Sequence, residues 1–176
     1  MKNLFKITLV AAAMLTTVAL FAQQKIAHIN SADLLASMPE MKAADISFQT
    51  YSKQATAVLT QMDVDRQKKI ALFQAKQKML TEANKEALEK ELAVLVKDIQ
   101  DMEKMLQERE AKSQDELSGK RTEIYTPVFK KAEDAVKIVA KEKGCAYVFD
   151  VSQPGMVYFD GGEDLMVAVK TKLGIK

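Results

Sequence analysis

The sequence predicts an α+β fold in which a long antiparallel α-helical coiled-coil hairpin is inserted into a small β body that closes by oligomerisation. Three observations predict it. Between Pro39 and Pro127 lie 87 residues with no proline and a single glycine, Gly119, far more than the about 8 to 20 residues of an ordinary globular helix. Inside that stretch Leu88, Leu92, Leu95, Ile99, Met102 and Leu106 are separated by 4, 3, 4, 3 and 4 residues, the seam of a coiled coil. The short β-prone segments stand only at the two ends of the chain, on either side of this stretch.

Residues 1–22 are read first and set aside. Lys2 and Lys6 form a positive start, Ile7 to Phe21 is apolar apart from Thr8, Thr16 and Thr17, and Ala22 precedes the polar Gln23 and Gln24. That is a secretory signal peptide by physical type, although Leu20 stands where a small residue is usual before the cut. A retained anchor is the alternative, and the apolar stretch is short for a span of about 20 residues. No cysteine follows the cut at once, which removes a lipid-anchored form. The expected location is outside the cytoplasm, soluble after cleavage, with no stable membrane insertion.

Without Lys2 and Lys6 the 26 Lys plus Arg fall to 24, against 24 Asp plus Glu. A formally neutral chain has no global attraction for nucleic acid or for a membrane surface, so neither is an expected partner. Any electrostatic function has to come from local patches.

The elements follow in order. Lys25 to Asn30 (KIAHIN) alternates, with Ile26 and Ile29 as its anchors, and reads as a strand; Ser31 caps a short helix over Ala32 to Met38. Residues 39–127 are the hairpin, and residues 23–38 with 128–176 are the body. From Glu40 to Asn84 the apolar residues recur at irregular helical spacings. From Lys85 to Glu116, 16 of 32 residues are charged, which leaves one narrow apolar stripe to bury. A turn near residues 81–85, at the midpoint of the two prolines, folds the segment into two arms of about 40 residues, each about 60 Å long. Position n then faces 167 minus n. Leu88 meets Met79, Leu95 meets Leu72 and Phe73, and Leu106 meets Gln61 and Met62.

The same rule sets Gly119 opposite Phe48. A helical glycine costs about 1 kcal/mol relative to alanine, so Gly119 either makes room for the ring or acts as a hinge. Pro127 suits the first turn of a new helix, which predicts a separate helix over Val128 to Lys143 ended by Gly144. Cys145 to Val151 and Met156 to Asp160 read as strands, with Gln153, Pro154 and Gly155 as the turn between them. A last helix begins near Asp164, with Leu165, Val169 and Leu173 inside. Three short strands and two small helices make a thin core, and the arms leave apolar surface uncovered. Oligomerisation, with strands of several chains closing a barrel, is the physical remedy.

The chain resembles the Skp/OmpH family of periplasmic chaperones for outer-membrane proteins. The matching pieces are the opening KIAHINSADLLASMPE, the helix AVKIVAKEKG with the strand YVFDVS, the segment MVYFD, and the final EDLMVAVKTKLG. The resemblance covers the whole chain after the signal, in order. It implies a homotrimer with a strand-built body and three coiled-coil arms, and an ATP-independent holdase that encloses unfolded outer-membrane proteins in the periplasm. Family members are often strongly basic, which suits lipopolysaccharide; this chain is neutral, so no lipopolysaccharide site is carried over. A structural or adaptor coiled coil of the envelope, which spaces folded partners, is the competing expectation.

One local patch remains. Arg66, Lys68, Lys69, Lys76 and Lys78 lie in Arg66 to Leu80, a stretch with no acidic residue, interleaved with Ile70, Leu72, Phe73 and Met79. Arg66, Lys68, Lys69, Phe73, Lys76, Lys78 and Met79 are the candidate client contacts, with charge speeding capture and flexible apolar groups adapting to varied sequences. The competing reading is a solvated face whose lysines pair with Glu82, Glu86, Glu89 and Glu91. Catalytic chemistry is not in prospect. His28 is the lone histidine and Cys145 the lone cysteine, read as packing residues, the latter buried in a strand, so a zinc site lacks its usual ligands. Gly161 and Gly162 lack the lysine and threonine of a phosphate loop. No cofactor, metal or catalytic residue is expected, and the chain does not read as an enzyme.

Overall fold

A computed structural model describes residues 24–156 and 158–175. The signal assignment and Val157 of the expected strand lie outside the described residues. The chain runs β1 (Ile26–Ile29), α1 (Ser31–Ser37), α2 (Pro39–Lys78), α3 (Lys85–Glu142), β2 (Tyr147–Asp150), β3 (Glu163–Asp164) and α4 (Met166–Leu173). It divides into two compact units, one of the residues up to Lys42 together with Pro127 onward, the other Ala43–Thr126.

In the first unit β1 is the central strand of three, in the order β2-β1-β3, and both neighbours run parallel to it. Alternation along β1 turns Ala27 and Ile29 inward, at 0% and 4% exposure, and leaves Ile26 at 45%. Ile29 is therefore an inner anchor as expected, but Ile26 is not; Ala27 takes its place because residues two apart share a face. Leu34 of α1, Met38, Leu165 and Val169 are the largest fully buried side chains, joined by Val128, Ala132, Ala135 and Val139 of α3. Burial of one such aliphatic side chain is worth about 1.5–3 kcal/mol.

Several local expectations are corrected. The cap of α1 is Asn30, not Ser31: the Asn30 side chain accepts a hydrogen bond from the Asp33 amide at 3.1 Å, which frees the Ser31 hydroxyl to donate to Asp150 at 2.5 Å. Strand β2 begins at Tyr147, so Cys145 precedes it and is only half-buried. Of the expected strand, Met156 and Tyr158 to Asp160 are irregular, and Gln153 to Gly155 do not close a hairpin. The third strand is Glu163–Asp164. The physical reason is topological, since two strands parallel to β1 need crossovers and leave no place for a tight hairpin between them.

Gly162 makes that topology possible. Its φ is 87°, and a Cβ there would stand 2.9 Å from the Ile26 carbonyl oxygen. Only glycine brings the chain this close to β1 in this conformation. At the chain's end the Asp164 carboxylate accepts from the Met166 amide at 2.8 Å, and Gly174, with φ 72°, closes α4.

Pro127 does not start a new helix. It sits inside α3, which is helical without interruption from Lys85 to Glu142. Proline removes one backbone hydrogen bond and crowds the preceding turn. Here the ring and Glu123, whose carbonyl loses its donor, are both exposed, so water can meet that carbonyl. Buried Val128 follows it in the first unit. Tyr125 precedes it in the second, with its hydroxyl donating to Asp45 at 2.8 Å.

In the second unit the partners of α2 on α3 fall in number as α2 advances: Phe48 packs on Tyr125 at 5.8 Å, Lys69 pairs with Asp98 at 2.6 Å, and Lys76 pairs with Glu91. The last two obey the 167 minus n rule. Leu95 is buried, and Leu88, Leu92, Ile99, Met102 and Leu106 are half-buried. Met79 and Leu72, expected in the seam, are 66% and 46% exposed. The turn spans Met79 to Asn84, two residues earlier than expected at its start. Asn84 holds it closed: its side-chain oxygen accepts from the Thr81 amide at 2.7 Å and its amide donates to the Met79 carbonyl at 2.9 Å.

Candidate functional site

The basic stretch lies on the last 13 residues of α2 and the two residues after it, and most of its charges are already met. Arg66 donates to Asp63 at 2.7 Å and Lys68 to Asp65 at 2.9 Å, both one turn back on the same helix. Lys69 and Lys76 reach across to Asp98 and Glu91. Lys78 makes no ion pair among the described residues. The Asp63 carboxylate holds the Arg66 guanidinium above its ordinary value, and Lys68, then Gln61, hold the Asp65 carboxyl below its own. Each exposed pair is worth about 0–1 kcal/mol; together they leave little free positive charge.

Phe73 is half-buried and Met79 mostly exposed. Six of the seven candidates therefore lie within four turns of one helix, with Met79 at the start of the turn that follows, yet they do not converge on one spot. The acids Asp63, Asp65 and Asp98 escaped the reading of the basic stretch because the first two stand just before it and the third lies on the other helix. Their signals were present: spacings of three residues for Arg66 and Lys68, and the 167 minus n rule for Lys69.

Gly119 does not make room for Phe48. A Cβ added at Gly119 meets nothing within 4 Å, and the Phe48 ring meets Tyr125 instead. Six residues earlier, Ser113 is 2% exposed and its hydroxyl has no hydrogen-bond partner. Such a group costs stability.

The first unit carries a different kind of surface. Along the outer face of the sheet, Ile26 pairs in register with Tyr147 and His28 with Phe149. Ile26, Tyr147 and Phe149 are 45%, 54% and 43% exposed. Tyr147 and Phe149 stack at 6.4 Å, and Phe159 lies 5.3 Å from the His28 ring. His28 Nδ1 is buried without a partner. Met156, Tyr158 and Phe159 line an open cavity of about 440 Å³ together with Ile26, His28 and Phe149 of this face. Sequence reading saw a packing role for His28, but the aromatic face follows only from the parallel register.

Two polar clusters tie this unit together. Asp150 accepts from the amide and hydroxyl of Ser31 at 3.1 and 2.5 Å, from those of Ser152 at 3.0 and 2.7 Å, and from Gln153 at 3.2 Å. Burial pushes the Asp150 carboxyl up, but the hydrogen bonds from Ser31 and Ser152 outweigh it and hold the group well below its usual range. Glu163 takes Lys143 on one oxygen and Lys25 on the other, the latter at 2.7 Å, and these two lysines hold it down at about 2. Both clusters join residues remote in sequence, which marks them as structural. Among the described residues no group of His, Cys, Asp and Glu could hold a metal ion, and no helix is long and apolar enough to cross a membrane.

The sequence model of the family described as "Outer membrane protein (OmpH-like)" matches residues 25–173. No curated protein matches the chain. Among solved structures, the crystal structure of a protein assigned as an OmpH-like outer membrane chaperone, from Caulobacter crescentus CB15, aligns with a TM-score of 0.63 at 19% identity. The alignment covers 86% of this chain and 85% of that one. At that identity the likeness speaks for the fold.

Proposed function

From its membership of the OmpH-like family, to which this chain belongs, we propose that the protein is an ATP-independent holdase that keeps unfolded outer-membrane proteins from aggregating in the periplasm. The family model supplies the membership and the structural neighbour supports the fold; the chaperone role, the holdase activity and the client are this proposal. The observation that carries it is the unit Ala43–Thr126. Two long helices bury few side chains between them, while Leu72, Met79, Val94 and Met105 stay about half exposed or more. A helix pair that only had to be stable would hide such residues.

In this reading α2 and α3 form an antiparallel coiled-coil hairpin, supported by the descending partners Phe48 with Tyr125, Lys69 with Asp98 and Lys76 with Glu91. Residues 23–38 and 128–176 are the oligomerisation body, and three copies assemble through it. Support comes from the exposed aromatic face of the sheet and from Tyr158 and Phe159, strand-forming residues that pair with no strand among the described residues. Residues 1–22 direct export. The chemistry is binding and not catalysis. Arg66, Lys68, Lys69, Phe73, Lys76, Lys78 and Met79 are offered as client contacts near the turn.

The test is dilution of a urea-unfolded β-barrel membrane protein into buffer with the purified chain. Suppressed light scattering at one trimer per client, and a client complex in sedimentation, are expected. Unchanged scattering at excess protein defeats the proposal. The adaptor reading is favoured by one observation, that Arg66, Lys68, Lys69 and Lys76 are already ion-paired; it predicts capture of one folded partner and indifference to unfolded chains.

A further inference from the structure

β1 is the central strand of its sheet, so the residues it turns outward stand in the middle of the exposed face. Ile26 is one of them and His28 the other, since residues two apart share a face. His28 lies between its register partners, Phe149 on β2 and Asp164 on β3, and the Phe159 ring stands 5.3 Å from its own. An open space of about 600 Å³ adjoins it, lined also by Tyr158 to Gly162. An aliphatic side chain would pack at this position as well as a neutral imidazole does. What the imidazole adds is a second charge state, and His28 is the lone histidine of the chain.

Nothing around the ring is placed to receive a charge on it. Its Nδ1 is buried with no hydrogen-bond partner among the described residues. A neutral imidazole can present that nitrogen as the one without a hydrogen, whereas a protonated ring carries a hydrogen on both. The added donor would be buried with nothing to accept it. Asp164 takes the Met166 amide at 2.8 Å and Asp160 the Tyr158 hydroxyl at 3.0 Å; neither forms an ion pair with His28. Glu163, the register partner of the inward Ala27, is held by Lys25 and Lys143. Asp150, the register partner of the inward Ile29, is held by Ser31 and Ser152. Tyr147 and Tyr158 are the remaining titratable groups of the face, and a phenol is uncharged below about pH 10.

We propose that His28 is a pH switch of self-association: with the imidazole neutral, two further copies of the chain close over this face, and protonation between about pH 7 and pH 5 parts them. The inference rests on the three-copy reading of the body and names its regulation. Copies related by a three-fold axis bring three His28 rings to the same interface. Each charge would lose water there without gaining a partner, the reason charged residues are depleted at interface cores. Like charges also repel one another more strongly as the dielectric falls. In the separate chain the protonated ring can turn towards water in the adjoining space. The separate chains therefore bind more protons than the assembly, and by linkage the assembly weakens as pH falls. Glu163, held down at about 2 by Lys143 and Lys25, keeps its charge throughout this range and does not share in the effect.

The experiment is sedimentation equilibrium of the purified protein, carrying no histidine tag, at steps from about pH 8 to about pH 5, with helical content recorded at each step. If the assembly excludes one proton, its association constant falls about tenfold per pH unit below the histidine range, and if it excludes three, about a thousandfold. A fall of about tenfold or more between pH 7 and pH 5 is expected, with helical content unchanged. His28→Leu should stay assembled across the range, and His28→Lys should stay apart even at the alkaline end. Because a substitution could disturb packing, the imidazole ring signals of the unmodified protein are followed by NMR as well. The lone histidine gives one titration, which is expected to coincide with the change in subunit number. A protein assembled equally at both ends of the range overturns this inference alone. So does dissociation that persists in His28→Leu, or that proceeds while the ring signals do not move. A single-chain mass at every pH defeats the three-copy reading of the body and this inference with it.

Discussion

The two units solve the burial problem in opposite ways. The unit that ends with Lys42 and resumes at Pro127 places Leu34, Met38, Leu165 and Val169 under nearly complete cover, drawing them from two stretches remote in sequence. The unit Ala43–Thr126 buries only Ala44, Ala55, Leu95 and Ser113, and half-covers its leucine seam. One is held by a small three-dimensional core; the other by a line of contacts between two helices. A line can lose contacts locally without losing the whole, which is what a surface for irregular occupants needs, whereas a core fails as one.

Breaking the core should therefore cost most. Leu165→Ala removes a fully buried side chain and is expected to destabilise the first unit by about 2–5 kcal/mol, read as a lower urea midpoint. Leu92→Ala in the half-covered seam should cost about half as much. Equal losses at the two sites would erase the contrast. Next comes the backbone: Gly162→Ala adds a Cβ 2.9 Å from the Ile26 carbonyl at a φ of 87°. A loss of about 1–3 kcal/mol is expected, whereas Gly119→Ala, where the new Cβ meets nothing within 4 Å, should gain up to about 1 kcal/mol from helix propensity.

A substitution in the second unit sharpens the comparison from the other direction. Ser113 is buried, and its hydroxyl lacks a partner. Ser113→Ala discards a desolvated polar group and improves helix propensity, so the helix pair should gain about 1 kcal/mol. A higher thermal midpoint of the helical signal would show it. An unchanged or lower midpoint would mean that the hydroxyl has a partner in the assembled protein.

Much of the second unit was legible because its contacts repeat. The leucine spacing pointed to the seam of α3, and one mirror rule drawn from two prolines anticipates both Lys69–Asp98 and Lys76–Glu91. It missed at Leu72 and Met79, since a rule of facing positions says nothing of which flank a side chain takes. The first unit was legible as segments but not as a sheet. Tyr158 and Phe159 favour a strand by propensity, yet no strand among the described residues pairs with them, and Glu163–Asp164, with no strand-forming residue, pairs with β1 because Gly162 brings it close. Pro127 misled for a related reason. Local preference ends a helix there, but buried neighbours on one side and Tyr125 on the other carry α3 through. The outer aromatic face depends on parallel register, which no local signal specifies.

The smallest expected effect concerns acid. Lys143 and Lys25 hold Glu163 at about 2, against an ordinary value of 4.5. A carboxyl with a folded value below its unfolded one contributes stability above the unfolded value, and that contribution is lost as pH falls towards the folded value. The first unit should thus lose stability between about pH 4.5 and 2, while the contribution is fully present at neutral pH. Asp150 acts in the same direction, through its hydrogen bonds from Ser31 and Ser152. Glu163→Gln should flatten part of the acid limb in urea titrations at successive pH values, and Glu163→Gln/Asp150→Asn should flatten more of it. Neither group belongs to the unit Ala43–Thr126, so the acid limb should be shallower when unfolding is followed by a probe near the turn at Met79–Asn84 than by Tyr147. Identical limbs at both probes would mean that the two units unfold together, and that the contrast between core and line does not extend to how the protein comes apart.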